Sequence, residues 1–427
     1  MSTTYQATAA FAANLDATDE LKDYRNRFHI PSANGKSLIY FCGNSLGLQP
    51  KSTRAYLEQE LTDWQNLGVE GHLHAKNPWL YYHHFLTDAT ARLVGAKPIE
   101  VVVMNSLTVN LNLLMISFYR PTAKRNKIMM EYMAFPSDQY AVENQVKFHG
   151  YNPNDAIIEL MPREGENCIR TADILAKIDE HKDELALIMI GGVNYYTGQL
   201  FDMATITSHA KNCSSDIVVG YDLAHATGNV KMDLHDWNDD IATWCSYKYF
   251  NSGSGGTSGV FVHEKHAENN LLPRLSGWWG NDESTRFKMQ KGFIPQQGAA
   301  GWQMSNAQVL SMAAHRASLA IFDEVGMDKL IAKSKLLTGY LEFLLLNGKR
   351  KDFKIITPED VAQRGCQLSI VMNENGKKTF DALTQNGVIA DWREPDVIRV
   401  APVPLYNTFE DVYRFAEIFH AEKKKKK

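Results

Sequence analysis

Two short apolar runs, at 217–221 and 241–247, constrain this 427-residue chain more than any other feature. Both are rich in β-branched or aromatic residues, and each closes on a polar one, Asp222 after the first and Lys248 after the second. Runs of this kind predict buried strands of a largely parallel sheet. In open α/β sheets, ligands sit beyond the carboxyl ends of the strands. Asp222 and Lys248 are therefore expected to project into one cleft. The loop bearing Gly253, Gly255, Gly256 and Gly259 follows directly after the lysine.

An amine and a carboxylate at neighbouring strand ends suit pyridoxal phosphate chemistry. The amine forms a Schiff base with the cofactor, and the acid keeps the ring nitrogen protonated so that the ring accepts electrons. By residue type alone, the same pair also suits a solvated lysine and a turn-capping aspartate.

The rest of the chain supplies a matching frame. Strand and helix patterns alternate at 101–104, 106–118, 127–131, 137–148, 157–160, 172–181, 185–190 and 203–211. Such a βαβ series predicts a doubly wound sheet. Upstream, 1–14 reads as flexible, 16–28 as helical and 38–41 as a short strand ending in a Gly-Asn-Ser turn. Helices are expected at 50–67 and 78–94, with Gly71 and His72 in the loop between them. After a strand at 260–262, the stretch 274–306 is too irregular for core, and long structured loops are commonly functional. Helices at 306–324 and 330–346 lead to four patterned segments, 368–371, 379–385, 397–400 and 409–419. That pattern predicts a smaller α+β domain.

Composition narrows the function. A net charge of −4 gives no reason to expect nucleic acid as a partner. The basic run 423–427 reads as a solvated terminus. Cys42, Cys168, Cys213, Cys245 and Cys366 are scattered without a CxxC pair, so neither a metal site nor a disulfide framework is indicated. An odd count of thiols fits a reducing compartment. No targeting segment and no bilayer-length apolar run are evident, so a cytoplasmic protein without a membrane partner is expected.

The words around the two polar residues carry a resemblance. The segments 221–230 (YDLAHATGNV) and 244–256 (WCSYKYFNSGSGG) closely resemble kynureninases, which are pyridoxal-phosphate enzymes. So do GNSLGLQP at 43–50, LTVNLNLLM at 107–115, AFPSDQY at 134–140, NYYTGQ at 194–199, STRFKM at 284–289 and RVAPVPLYN at 399–407. The resemblance implies an α/β, fold-type-I transferase-like architecture. A large domain at 46–308 would carry a doubly wound, mostly parallel seven-stranded sheet. A smaller α+β domain at 309–427 would follow, with 1–45 packing on it. It also implies a homodimer and hydrolytic Cβ–Cγ cleavage of L-kynurenine or 3-hydroxy-L-kynurenine, giving anthranilate or 3-hydroxyanthranilate and L-alanine. That reaction belongs to tryptophan catabolism towards NAD.

Carried over position by position, the resemblance implies specific roles. Lys248 becomes the Schiff-base lysine and Asp222 the partner of the ring nitrogen. Leu107 and Thr108 would hold the phosphate at a helix start, where free N–H groups favour an anion, although Thr108 alone also reads as a cap. Phe135 would stack on the ring, within Phe135-Pro136-Ser137-Asp138; by residue type it reads as core. His225, Tyr247, Trp278 and Asn306 match further cofactor contacts, and His225 reads equally as a turn histidine bonded to backbone. Tyr247 is a plausible proton donor near the ketone and phosphate. Arg399 suits the substrate carboxylate, because a guanidinium binds one in two-pronged fashion. Ser45, His72, Tyr196, Ser305 and Asn306 would line the substrate. His72, Ser305 and Asn306 match the eukaryotic type, which prefers the 3-hydroxylated substrate. Gly191 departs from the pattern, standing where several relatives carry serine.

Two other readings share the fold or the cofactor. A cysteine desulfurase or class-V aminotransferase is one; a desulfurase needs a nucleophilic cysteine on a mobile loop, and only Cys366 comes late enough. A non-catalytic pyridoxal-phosphate-binding relative is the other. Retention of Lys248, Asp222, Tyr247 and Arg399 together argues against that relative.

Overall fold

The computed structural model describes residues 4–269 and 271–421. Its centre is a seven-stranded sheet: β1 (Val101–Val103), β2 (Lys127–Glu131), β3 (Ile157–Leu160), β4 (Leu185–Gly191), β5 (Val218–Asp222), β6 (Ile241–Trp244) and β7 (Gly259–Val262). The spatial order is β1-β7-β6-β5-β4-β2-β3, with only β7 antiparallel to its neighbours. Successive side chains go to opposite faces of a strand, and here both faces are covered. Met129, Ile188, Ile190, Val219, Tyr221 and Trp244 join one apolar cluster with the helices His84–Val94, Met203–Cys213 and Val309–Val325. Ile128, Met130, Leu187, Met189 and Val260 join another with the helices Leu107–Phe118 and Pro136–Phe148. Burial on both sides explains why these strands read as unbroken apolar runs.

Gly259 shows how tightly the sheet closes around β6. It lies opposite Trp244 in the β6–β7 register, and a Cβ there would stand 2.2 Å from the indole. Only glycine lets the buried tryptophan lie flat across its neighbour strand.

A second, wholly antiparallel sheet contains β8 (Phe353–Ile355), β9 (Leu368–Met372), β10 (Asp391–Arg393) and β11 (Val397–Val400), in the order β8-β9-β11-β10. Its apolar face gathers Leu337, Leu341, Leu344, Phe415 and Phe419 from the helices Met327–Asn347 and Phe409–Ala421. Ala12 enters the same core, and Ile39–Tyr40 pairs in parallel with Val388–Ile389.

Several boundaries differ from the sequence reading, for local reasons. A helix at Ala9–Thr18 occupies part of the stretch expected to be flexible, started by Thr8, whose Oγ1 accepts the Phe11 N–H. The expected helix at 16–28 is in fact a 3-10 segment at Lys22–Arg27. Gly71 and His72 lie in a short helix, Gly71–His74, rather than a loop. Strand β6 ends at Trp244, so Lys248 sits in the turn beyond it rather than at the strand end. The short strands Phe353–Ile355 and Asp391–Arg393 carry no clear alternation and were not expected. The basic run 423–427 lies outside the described residues. No helix among the described residues is long and apolar enough to cross a membrane.

Candidate active site

At the carboxyl ends of β2, β4 and β5 the sheet opens into a cavity. Its walls include Leu107, Thr108, Glu131, Phe135, Ser137, Asp138, Gly191, Tyr195, Asp222, His225, Tyr247 and Lys248. Nine of the expected site residues therefore meet in one place. Asp222 closes β5, while Lys248 follows β6 in a turn. That turn is held by a close approach: the Gly47 N–H donates to the Tyr247 carbonyl at 2.8 Å, and a Cβ on Gly47 would stand 2.3 Å from the Lys248 carbonyl. The segment carrying Ser45 is thereby pinned against the turn that carries the lysine.

The Lys248 ammonium lies 2.9 Å from His225 Nε2 and 5.9 Å from the centre of the Phe135 ring. Burial holds the His225 pKa well below the ordinary imidazole value, and the charges of Lys248, Arg399 and Arg393 push the same way. The neutral ring therefore accepts the lysine's proton at Nε2, and its Nδ1 is buried without a protein partner. Phe135 does not sit in the core; its ring is partly exposed and stands edge-on to Tyr195, with centroids 5.2 Å apart.

Carboxyls crowd the opposite wall. Asp222 Oδ1 accepts the Ala224 N–H at 2.7 Å, and its side chain is hydrogen-bonded to Asp138. Burial raises the pKa of both groups, and the Asp222 charge adds to the rise at Asp138. Asp138 accordingly holds the shared proton while Asp222 keeps the negative charge facing Lys248. Glu131 is a third carboxyl that the sequence reading missed. Both of its oxygens accept the Gly191 N–H, at 3.2 and 3.1 Å, and burial raises its pKa from 4.5 to about 7. Its signal was available: an acid closing an apolar strand, as Asp222 does. The Gly191 backbone N–H is thus engaged by Glu131.

An anion would find two helix starts. Thr108 stands in the first turn of Leu107–Phe118, whose Ser106 makes no side-chain cap. Ser137 stands in the first turn of Pro136–Phe148, which opens on proline. The two hydroxyls are 2.7 Å apart, so two sets of unpaired N–H groups converge there. A pyridine-aldehyde phosphate fits this donor set: an amine for the aldehyde, a carboxylate for the ring nitrogen, a ring for stacking and a double helix start for the phosphate. Tyr247 lines the cavity with its phenol pKa pushed up, chiefly by burial.

Of the remaining expected residues, Pro136 opens its helix between the wall residues Phe135 and Ser137, and the others fall into two groups. Arg399 and Tyr196 gather beside the cavity around Tyr195. The Tyr195 carbonyl accepts Arg399 Nη1 at 2.6 Å and Gln367 Nε2 at 3.0 Å, while the Tyr196 carbonyl accepts Ser369 Oγ at 2.6 Å. Gln367 also takes the Asn44 amide at 2.9 Å, which ties in the Ser45 turn. His72, Trp278, Ser305 and Asn306 are absent from the walls of this cavity. Trp278 instead packs on Trp279 and Phe287 and lines a separate hollow at 276–294. Ser305 and Asn306 are exposed, and the His72 imidazole packs edge-on to Trp79. Cys366 is buried beside Ser334, with its thiol pushed up to about 12 by burial, which leaves it no nucleophilic thiolate at neutral pH.

Comparison with known proteins gives a consistent result. Residues 330–419 match the kynureninase C-terminal domain. The chain is 55% identical over 417 residues to a kynureninase of Flavobacterium psychrophilum, covering 97% of this chain and 98% of that one. It is 48% identical to a kynureninase of Nematostella vectensis, over 96% and 93% of the two chains. Among solved structures, the cystine C–S lyase C-DES, with glycine covalently linked to its PLP cofactor, superposes with a TM-score of 0.78 at 15% identity, covering 92% of this chain and 98% of that one. A cysteine desulfurase from Thermococcus onnurineus superposes with a TM-score of 0.76 at 14% identity, over 94% and 97%. At that distance the two structures show the fold alone.

Proposed function

The chain belongs to the kynureninase family, and from that membership we infer how its cavity works. It is a pyridoxal-phosphate-dependent enzyme that hydrolyses the Cβ–Cγ bond of L-kynurenine and its 3-hydroxy analogue, releasing L-alanine and the corresponding anthranilate. When bound, the cofactor's ring acts as an electron sink for charge developing at the substrate's α-carbon. The observation that carries this reading is the convergence of Lys248, Asp222 and the Thr108–Ser137 helix starts on one cavity.

Each residue has work to do there. Lys248 supplies the amine that holds the cofactor and moves the α-proton, with His225 Nε2 as the nearby acceptor that orients it. The Asp222 carboxylate keeps the ring nitrogen protonated, and Asp138, carrying its own proton, holds Asp222 in place. Leu107, Thr108 and Ser137 bind the phosphate; Phe135 and Pro136 cover the ring. The Tyr247 phenol, protonated at neutral pH, donates to the ketone side of the substrate. Arg399 takes the α-carboxylate, with Ser45 and Tyr196 beside it.

Trp278, Ser305, Asn306 and His72 lie on surface elements away from the cavity of their own chain. A homodimer that brings those elements across to the neighbouring site accounts for their position. His72, Ser305 and Asn306 would then hydrogen-bond a ring hydroxyl and favour 3-hydroxykynurenine. The same reading divides the chain into a large domain at 46–308 and a small one at 309–427, with 1–45 joining the latter. Product analysis with both substrates and added cofactor tests the activity. Equimolar alanine and arylcarboxylate support it, and the absence of alanine refutes it.

A further inference from the structure

Arg399 and Asp391 face each other directly across the β10–β11 pair. Cross-strand neighbours of opposite charge are held in contact by the sheet itself. Here that contact consumes one edge of the guanidinium. Asp391 Oδ2 accepts Arg399 Nε at 2.5 Å and also contacts Nη2, while Nη1 donates to the Tyr195 carbonyl. A guanidinium has five N–H groups. Three are spent, which leaves one on each terminal nitrogen. Arg399 is 1% exposed, so its fork cannot swing to another pose without breaking these bonds.

Asp391 also binds Arg393 Nε at 2.9 Å, and the Arg393 side chain is more exposed than that of Arg399. One aspartate therefore gathers two arginines, and the cluster carries a net single positive charge. Both arginine charges reach the His225 ring in the cavity wall.

We propose that Asp391 is a positioning residue for substrate selection: it occupies the side edge of Arg399 and fixes the guanidinium so that its remaining N–H groups accept one α-carboxylate. The proposal rests on Arg399 as the carboxylate-binding residue. Asp391 itself touches no substrate.

The test uses the holoenzyme and two probes that differ only at the carboxyl group, the product L-alanine and L-alaninamide, with binding read from the cofactor's absorbance. Asp391→Asn is expected to weaken L-alanine about tenfold while changing L-alaninamide less than twofold, since the guanidinium loses its alignment and only the carboxylate probe depends on that alignment. In turnover it raises KM with kcat little altered, and Asp391→Glu restores most of the loss. A purely structural role would weaken both probes alike and lower the melting temperature in step; that result overturns the proposal. If Arg399→Ala destroys the preference for L-alanine and Asp391→Asn leaves it intact, the inference about Asp391 fails and Arg399 keeps its role. If Arg399→Ala leaves the preference intact, both fall.

Discussion

Lys248 Nζ and His225 Nε2 stand 2.9 Å apart, and burial together with three nearby cations keeps the imidazole neutral. The histidine is thus a fixed acceptor for the amine rather than a competing cation. Removing it with His225→Ala is expected to slow cofactor capture by the apoenzyme on the order of tenfold or more, the scale of one hydrogen bond to a charged group. Stopped-flow absorbance after mixing apoenzyme with pyridoxal phosphate measures this. An unchanged rate would remove the orienting role.

On the proposed reading, Asp222→Asn deletes the charge that would face the ring nitrogen but keeps the shape. Turnover should fall on the order of a hundredfold, while Lys248 still captures the cofactor, because the loss lies in stabilising charge on the ring. Steady-state rates beside absorbance spectra separate the two effects. Full activity in the variant would show that another group protonates the ring.

Glu131 gives a pH prediction of definite sign. Its carboxyl pKa rises from 4.5 to about 7 on folding, so the folded chain binds the proton more tightly than the unfolded one. Stability from this group is complete below pH 4.5 and is lost as pH rises towards 7, with a loss of up to about 3 kcal/mol. Glu131→Gln should therefore fare better against the parent at pH 8 than at pH 5: it destabilises the apoprotein least, or stabilises it, at pH 8, and destabilises it most at pH 5. Urea midpoints at both pH values check this. A difference independent of pH contradicts the assignment.

For Arg399→Ala the expected outcome is a rise in KM on the order of a hundredfold with the cofactor's spectrum intact, as befits a lost two-pronged contact. The double change His72→Ala with Asn306→Thr should narrow the preference for 3-hydroxykynurenine, read as the ratio of kcat/KM for the two substrates. A preserved ratio would mean that neither side chain meets the ring hydroxyl.

Much of this was legible in the sequence because buried parallel strands leave a strong signal. The acid after 217–221 and the apolar strand β4 follow directly from burial on both faces. The short helix starts at Thr108 and Ser137 were likewise marked by their serine, threonine and proline. What the sequence hid was contact between distant segments. Nothing in residues 127–131 announces that Glu131 will take the Gly191 N–H from the adjacent strand. Nothing local tells Asp391 that Arg399 will lie opposite, since Asp391–Arg393 is too short for a period to show. The extent of β6 was misjudged because the residues after Trp244 stay apolar while the chain already turns to present Lys248.

The most direct test of the account is to reduce the cofactor-loaded protein with borohydride and sequence its peptides by mass spectrometry. The peptide containing Lys248 should carry a phosphopyridoxyl group on that side chain, and Lys248→Ala should carry none. Label on another lysine, with residue 248 unmodified in the parent protein, would contradict the site as described.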